Sequence, residues 1–301
     1  MFIVTIASKG TLPVSLLFLL RNNQMLIYHI PLKNFVIFLF LGFLPTFLSA
    51  KYICAEATKG FWCSTSKIGI GTYYAHYQHP KVDYAGGTLS VSSLYWRERF
   101  SLGGEVSGGL GKQEISNITR ESKSTLGGFL GLQVYSGVNL SDLLGESRQS
   151  PFILHFSTSF HLDDYGIKSN MPNTLFFTLG IGLNQIKSIE KLALEYSLNY
   201  GYIVYGAYQF ATRKNPNTLA IAHRNSAILG HNSHEAKTSF GILYDNFYAK
   251  FNVVYRYLDD STRLSVKRFS TDSTTHILGY PHTHNVIAGL EIGYSFGDFG
   301  K

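Results

Sequence analysis

Apolar and polar residues alternate one for one along most of the chain beyond residue 66. In the segment 152–162, for example, the apolar residues Leu154 and Phe156 alternate with the polar residues His155 and Ser157. Successive side chains of a β-strand point to opposite faces of the sheet, so this pattern predicts a strand with one apolar and one polar face.

Ten segments of this kind are predicted to be strands. A tilted strand needs about 9–11 residues to cross a bilayer, and most of the predicted strands are close to this length. The predicted strands are 67–78, 87–97, 100–110, 124–138, 151–162, 174–183, 191–208, 236–244, 247–258 and 284–296.

The predicted connections alternate between long and short. The first, third, fifth, seventh and ninth have 8, 13, 11, 27 and 25 residues, and the other four have 2, 12, 7 and 2. Transmembrane barrels have an even number of antiparallel strands, short periplasmic turns and longer external loops. The chain is therefore predicted to form an all-β, antiparallel transmembrane β-barrel of about ten strands, with eight strands as the alternative. Both chain ends fall on the side of the short turns.

The N-terminal region has a secretory pattern. Lys33 precedes the uncharged stretch 34–50, which Gly42 and Pro45 interrupt. A spanning helix wants about 20 apolar residues, and a basic residue followed by a short apolar core and small residues is typical of a signal peptide. A single anchoring helix is the alternative.

Cleavage of this leader is possible after Ala50 or after Ala57, and the Ala55-Glu56-Ala57 arrangement favours Ala57. Met25 is a better placed start than Met1 for such a leader. Cleavage after Ala57 would remove Cys54 and leave Cys63 without a partner in the chain, which has two cysteines. The predicted parts are the signal peptide 1–57, a short mature segment 58–66, the barrel 67–296 and a tail 297–301.

Composition agrees with this architecture. Charged residues make up 15% of the chain, against roughly 25% in soluble domains, and aromatic residues also reach 15%. Disordered chains, disulfide scaffolds and bundles of membrane helices are excluded. The predicted leader carries four basic residues and one acidic residue, so its removal lowers the formal net charge from +7 to +4. Without a basic run, nucleic acid is not an expected partner.

The inward positions of the predicted strands are rich in glycine and serine, with a few charges. Three acidic and three basic residues share this confined space, and we expect them to form an ion-pair network. The interior of such a barrel is little wider than its side chains can fill, so we expect little or no open-pore conductance. The six residues are Glu105, Glu195, Glu291, Lys237, Lys250 and Arg256.

Histidines gather in the two longest predicted loops. Imidazoles at short spacing can chelate zinc or nickel, but no cysteine joins them, and flexible loops must be ordered before they can bind a metal. We expect solvated loop residues and no metal. The candidate ligands would be His231, His234, His282 and His284.

The last predicted strand ends in aromatic residues, Tyr294 and Phe296. With the leader and the alternating strands, this end makes residues 66–296 resemble bacterial outer-membrane β-barrel proteins, particularly small opacity-like or OmpA-transmembrane-like barrels. The resemblance implies that Tyr294 and Phe296 are the assembly signal read by the barrel-assembly machinery. The chain departs from this pattern because five residues, 297–301, follow Phe296, and Phe299 is a second candidate for the terminal aromatic residue.

An imidazole two residues from a serine on one strand, as with His155 and Ser157, can accept the hydroxyl proton. Outer-membrane lipid hydrolases use such a pair facing lipid. Here Leu154 and Phe156 occupy the lipid face, so the pair is expected to face the lumen as polar filler. The chain is predicted not to be an enzyme, with a lipid hydrolase as a distant alternative.

The omptin surface proteases are also ten-stranded barrels. Their paired-aspartate and Asp-x-His motifs are missing, because Asp259 and Asp260 are adjacent rather than suitably spaced. The sequence therefore gives no ground for protease activity, and no cofactor is expected.

The resemblance implies a location in the outer membrane of a Gram-negative bacterium, with outer-membrane lipid and lipopolysaccharide as partners. The first functional hypothesis is a non-enzymatic surface, structural or adhesin-like barrel whose external loops 209–235 and 259–283 contact host or other surface ligands. A porin or transport barrel for small solutes is the alternative.

Overall fold

The computed structural model divides into two compact units, Met1–Ala50 and Lys51–Lys301. The described residues are 3–6, 13–21, 24–31, 55–57, 60–78, 81–116, 122–146, 150–164, 173–189, 191–213, 221–266 and 276–296. In the first unit, β1 (Ile3–Ile6), β2 (Pro13–Arg21) and β3 (Gln24–Pro31) form an antiparallel sheet in that order. The apolar stretch 34–50, on which the signal-peptide prediction depends, lies outside the described residues.

In the second unit, ten strands pair antiparallel with their neighbours around a closed ring, and the last pairs with the first. The prediction of an all-β, ten-stranded antiparallel barrel is confirmed, and the eight-stranded alternative is wrong. The strands are β5 (Gly60–Tyr77), β6 (Val82–Arg97), β7 (Ser101–Ser116), β8 (Ser122–Asn139), β9 (Phe152–Asp164), β10 (Asn173–Ile189), β11 (Leu192–Arg213), β13 (His234–Tyr244), β14 (Phe247–Leu258) and β17 (Thr283–Phe296).

Short secondary-structure elements lie at the two ends of the barrel. At the end of the barrel where β5 begins and β17 ends, which we call the chain-end side, β4 (Ala55–Ala57) pairs with the start of β5, and a 3-10 helix spans Ser141–Leu144. At the opposite end, β12 (Ile221–Ile228) pairs with the extension of β11, and β15 (Leu264–Val266) pairs with β16 (His276–Leu278). Within the described part of the chain, no helix is long and apolar enough to cross a membrane.

Several strands extend further than their alternation predicts. Segment 184–190 is predicted to be a turn, yet β10 continues to Ile189, which pairs with Leu192. The polar residues there interrupt the alternation, but the backbone ladder to β11 continues through them. Loop 209–235 is likewise shortened by the extension of β11 and by β12. The two longest connections still lie at the opposite end of the barrel from the start of β5 and the end of β17.

Outward side chains form an apolar band around the whole barrel. On β17, Leu290 is 56% exposed and Ile292 57%, whereas Glu291 between them is 5% exposed. Every barrel strand contributes a large exposed apolar side chain to this band, which is the opposite of a soluble core arrangement. One from each strand in chain order is Ile70, Leu89, Leu110, Leu132, Phe156, Ile181, Leu198, Ile242, Phe251 and Leu290.

Aromatic residues mark the two edges of the band. Phe247 and Tyr257 stand ten residues apart on β14. With a rise of roughly 3.3 Å per residue and a tilt of about 40°, they are about 25 Å apart along the barrel axis, the height of the apolar band of an outer-membrane barrel. The chain-end rim carries the cross-strand residues Tyr244, Phe247 and Tyr294, and the opposite rim carries Tyr202, His234, Tyr257 and His284.

Apolar side chains fill the barrel at both ends of the lumen. The first set, which we call the near-end cluster, consists of Cys63, Leu94, Trp96, Ile153, Ile186, Ala193, Leu243 and Tyr248. The second, the cap cluster, consists of Phe176, Ile203, Tyr208, Ala227, Leu229 and Leu258, with Leu264 and Tyr280 packed against it. The space between them holds polar and charged side chains together with a third apolar cluster of Tyr73, Ala75, Tyr77, Val82 and Tyr84.

Two glycines let β6 and β7 approach closely. Gly86 and Gly111 are directly opposite, and a Cβ on Gly111 would meet the carbonyl oxygen of Ala85. We expect Gly111→Ala to lower the free energy of unfolding by about 1–3 kcal/mol, because backbone must shift to admit the methyl group. Gly108→Ala on the same strand is the control, because its Cβ would lie 3.5 Å from the nearest atom.

Urea unfolding in detergent micelles measures both variants. Equal stability of the two would contradict the close approach of β6 and β7.

Candidate functional site: the charged lumen

Four of the six predicted lumen charges meet at the middle of the barrel. Lys250 Nζ lies 3.3 Å from Glu105 Oε2 and 3.6 Å from Glu291 Oε1. Lys237 Nζ lies 3.6 Å from Glu105 Oε1 and donates a hydrogen bond of 3.0 Å to Gln133 Oε1. Strand alternation aims these side chains inward from β7, β13, β14 and β17, so they form one central network.

The fifth predicted residue, Glu195, pairs with a lysine that the sequence analysis missed. Lys67 Nζ contacts Glu195 Oε1, and the Tyr248 hydroxyl donates to Glu291 Oε1. Lys67 lies on the same face of β5 as Gly69 and Gly71, and that inward alternation is the signal that would have identified it. With Lys67 included, three lysines balance three glutamates in the central network.

The sixth residue, Arg256, belongs to a separate cluster nearer the loops, contrary to the expectation of a single network. Its Nε donates to Glu235 Oε2 at 2.8 Å, and its Nη1 lies 4.0 Å from Asp163 Oδ2. The cross-strand register sets Arg256 opposite Glu235, a residue predicted to lie in a loop. The guanidinium also sits 4.8 Å from the ring centre of Phe176.

Asp163 is the acceptor at the centre of this second cluster, which we call the upper network. It accepts hydrogen bonds from Thr174 Oγ1 at 2.8 Å and from the Tyr77 hydroxyl at 3.2 Å. His161 Nε2 lies 2.9 Å from the same carboxylate. A buried carboxylate is tolerated only when it is paired and hydrogen-bonded, and Asp163 meets both conditions.

Two cavities, of about 120 Å³ and about 110 Å³, lie along the lumen. Both are bordered by Glu105, Gln133, Lys237 and Asn252, so the Lys237 contacts with Glu105 and Gln133 adjoin both of them. Described side chains occupy the lumen at the near-end cluster, the central network and the cap cluster.

The two longest loops join to form a single cap over the lumen. Leu229 and Ser261 form a β-bridge, and Thr262 N donates to the Ile228 carbonyl at 2.8 Å. The rings of Tyr208 and Tyr280 are centred 4.7 Å apart. Burial raises the pKa of the Tyr280 phenol, so this hydroxyl stays neutral.

His155 and Ser157 are both buried inside the barrel rather than facing outward. Asn199 Nδ2 donates to Ser157 Oγ at 2.7 Å and lies 3.3 Å from His155 Nε2. Sequence reasoning missed Asn199, which is brought here by the closure of β11 against β10. The Asn199 amide thus contacts both the imidazole and the hydroxyl, and the pair lies inside the barrel.

The four candidate metal ligands do not converge. His231 is exposed, His234 Nδ1 lies 2.9 Å from the Asn232 carbonyl oxygen, and His282 Nδ1 lies 3.3 Å from Asp260 Oδ1. His284 Nδ1 lies 2.7 Å from the Tyr255 hydroxyl. Among the described residues, no group of three histidine, cysteine, aspartate or glutamate side chains is placed to hold a metal ion.

The aromatic residues of the expected assembly signal lie together at the end of β17. The rings of Tyr294 and Phe296 are centred 5.1 Å apart, and Tyr294 packs edge-on against Phe247 at 5.6 Å. The Tyr294 hydroxyl accepts a hydrogen bond of 2.7 Å from Asn246 Nδ2. Phe299 lies outside the described residues.

Removing one partner from the central network should destabilise the barrel. We expect Glu105→Gln to lower the free energy of unfolding by about 2–3 kcal/mol, less than for a fully buried pair, because two partly buried lysines then face one fewer carboxylate. Adding Lys237→Gln restores the charge balance and should recover part of the loss. Glu114→Gln is the control, since Glu114 pairs with Lys112 in solvent, where a pair contributes about 0–1 kcal/mol.

Equilibrium unfolding of the four proteins in micelles provides the comparison. If Glu105→Gln costs no more than Glu114→Gln, the central network does not hold the barrel together.

No protein-family model matches the chain, and no curated protein matches it. Similar solved structures include the outer membrane protease OmpT from Escherichia coli, with 10% identity over 77% of this chain and 96% of that one and a TM-score of 0.48. The translocator domain of the autotransporter NalP from Neisseria meningitidis shows 9% identity over 86% of this chain and 97% of that one, with a TM-score of 0.29. The monoaromatic hydrocarbon channel TodX shows 8% identity over 79% and 90%, with a TM-score of 0.23.

Proposed function

We propose that the chain is a non-enzymatic barrel of the bacterial outer membrane that acts at the cell surface through its cap. The observation that carries the proposal is the apolar band, about 25 Å high, that encircles a barrel with a charged interior. In a soluble barrel these apolar side chains would be exposed to water, which is unfavourable. In a bilayer the same side chains contact hydrocarbon, which is favourable.

The membrane orientation follows from the connections. Outer-membrane barrels place short turns in the periplasm and longer loops outside. Here the turns 98–100, 190–191 and 245–246 lie on the chain-end side, and the cap loops lie on the other. We therefore place the chain-end side of the barrel in the periplasm and the cap on the exterior. This arrangement suits a chain exported through a cleaved signal peptide.

The filled lumen favours a surface or structural role over transport. A solute would have to pass the near-end cluster, the central network and the cap cluster in turn. Transport of small solutes is the second candidate, favoured by the two cavities along the lumen, which Glu105, Gln133 and Lys237 border. In that case at least the cap and the central network would have to move.

The proposed partners follow from the same geometry. Lipid and lipopolysaccharide would contact the apolar band and its outer rim, and Tyr294 and Phe296 would meet the barrel-assembly machinery. Host or other surface ligands would bind the cap. No catalytic role is proposed, because His155 and Ser157 face the interior and both contact Asn199 there, and no cofactor is proposed.

Replacing the β15–β16 hairpin, residues 264–278, with a short Gly-Ser linker separates the two candidates. We expect cells expressing this variant to lose adhesion to surfaces that the parent binds, with dye permeability unchanged. A matched control places the same linker over 142–145 on the periplasmic side and should adhere normally.

Both variants are first checked in the outer-membrane fraction for heat-modifiable gel migration, which shows that the barrel is folded. Retained adhesion together with increased permeability or large single-channel steps would favour transport instead.

A further inference from the structure

Cys63 sits at the periplasmic end of the barrel interior, near the start of β5. It is fully buried in the near-end cluster, which also holds Trp96 and Ile153, and it is disulfide-bonded. The sequence contains one other cysteine, Cys54. The expectation that Cys63 is unpaired in the mature protein therefore does not agree with the structure.

β4 lies between the two possible cleavage sites and pairs with the start of β5. Ala57 pairs with Gly60, Glu56 with Phe61 and Ala55 with Trp62. Cys54 lies outside the described residues, but it is the one other cysteine in the sequence and is therefore the partner that the chain offers for the Cys63 disulfide.

We propose that the exported protein carries a Cys54–Cys63 disulfide and that its signal peptide is removed after Ala50, so that residues 51–57 stay in the mature chain. This inference rests on the proposed outer-membrane location, because disulfides form and persist in the oxidising compartments that exported chains enter. It replaces the sequence-based preference for cleavage after Ala57, which would remove both Cys54 and β4.

The oxidation balances with a dithiol–disulfide exchange. The two thiols lose two protons and two electrons as the sulfur–sulfur bond forms, and a protein disulfide of the periplasmic thiol-oxidising machinery is reduced to a dithiol. The reaction passes through a mixed disulfide with one of the two cysteines. The second cysteine then displaces the oxidant.

The bond would fasten the mature N-terminus to the barrel wall. β4 adds three residues of sheet to β5, and so short a strand has little stability of its own. A covalent link to Cys63 keeps it paired with β5.

Peptide mapping of the protein purified from outer membranes tests the bond. After free thiols are blocked, trypsin cuts at Lys51, Lys59 and Lys67. We expect the peptides 52–59 and 60–67 to be recovered joined to each other and to separate on reduction. Recovery of peptide 60–67 with a blocked free thiol would overturn the proposal.

Two matched substitutions test the cleavage site. Signal peptidase requires a small residue immediately before the cut. We expect Ala50→Phe to leave an uncleaved precursor, whereas Ala57→Phe should be processed normally to a chain beginning at Lys51, as shown by intact mass. The opposite pattern, or a parent chain beginning at Thr58, would overturn the proposal.

Failure of the proposed function looks different from failure of this inference. A reduced, uncleaved chain in the soluble fraction would contradict the outer-membrane location itself, and the disulfide with it. A processed chain in the outer membrane with a free Cys63 thiol would contradict the disulfide alone.

Discussion

The absence of hydrogen-bond partners in hydrocarbon is the constraint on which the rest of this structure depends. A sheet exposed to lipid must satisfy every backbone N–H and C=O within itself, and closure into a barrel is the way to do so. Here the pairing of β17 with β5 leaves no barrel strand with a free edge in the apolar band. The outward apolar side chains then make lipid a favourable solvent for the closed surface.

Closure turns alternate side chains into a confined interior, and the ion pairs follow from that confinement. Charges such as Glu105 and Lys250 leave bulk water when the barrel forms, so each needs a partner within reach. The central network provides three lysines for three glutamates, and the upper network surrounds Asp163 with donors. Apolar clusters occupy both ends of the lumen, and two cavities lie along it.

Strand number, strand direction and the inward placement of charges could be predicted because alternation is a local property of the sequence. Exact partners could not, because they depend on cross-strand register. Arg256 pairs with Glu235 rather than with the central glutamates since the β13–β14 register sets them opposite. Polar stretches such as 184–190 resemble turns in sequence, although β10 continues through this stretch as far as Ile189 and stays paired with β11. The cap depends on contacts between loops that are far apart in sequence. The alternation of apolar and polar residues cannot predict such contacts.

The most direct measurement of the central claim is the depth dependence of a charge on the lipid face. Leu290→Lys lies in the middle of the apolar band, and His284→Lys lies at its outer rim on the same strand. Urea unfolding from lipid vesicles should show a loss of about 2–4 kcal/mol for the first variant and about 0–1 kcal/mol for the second. Equal losses of unfolding free energy for the two variants would contradict the claim that this apolar band faces lipid.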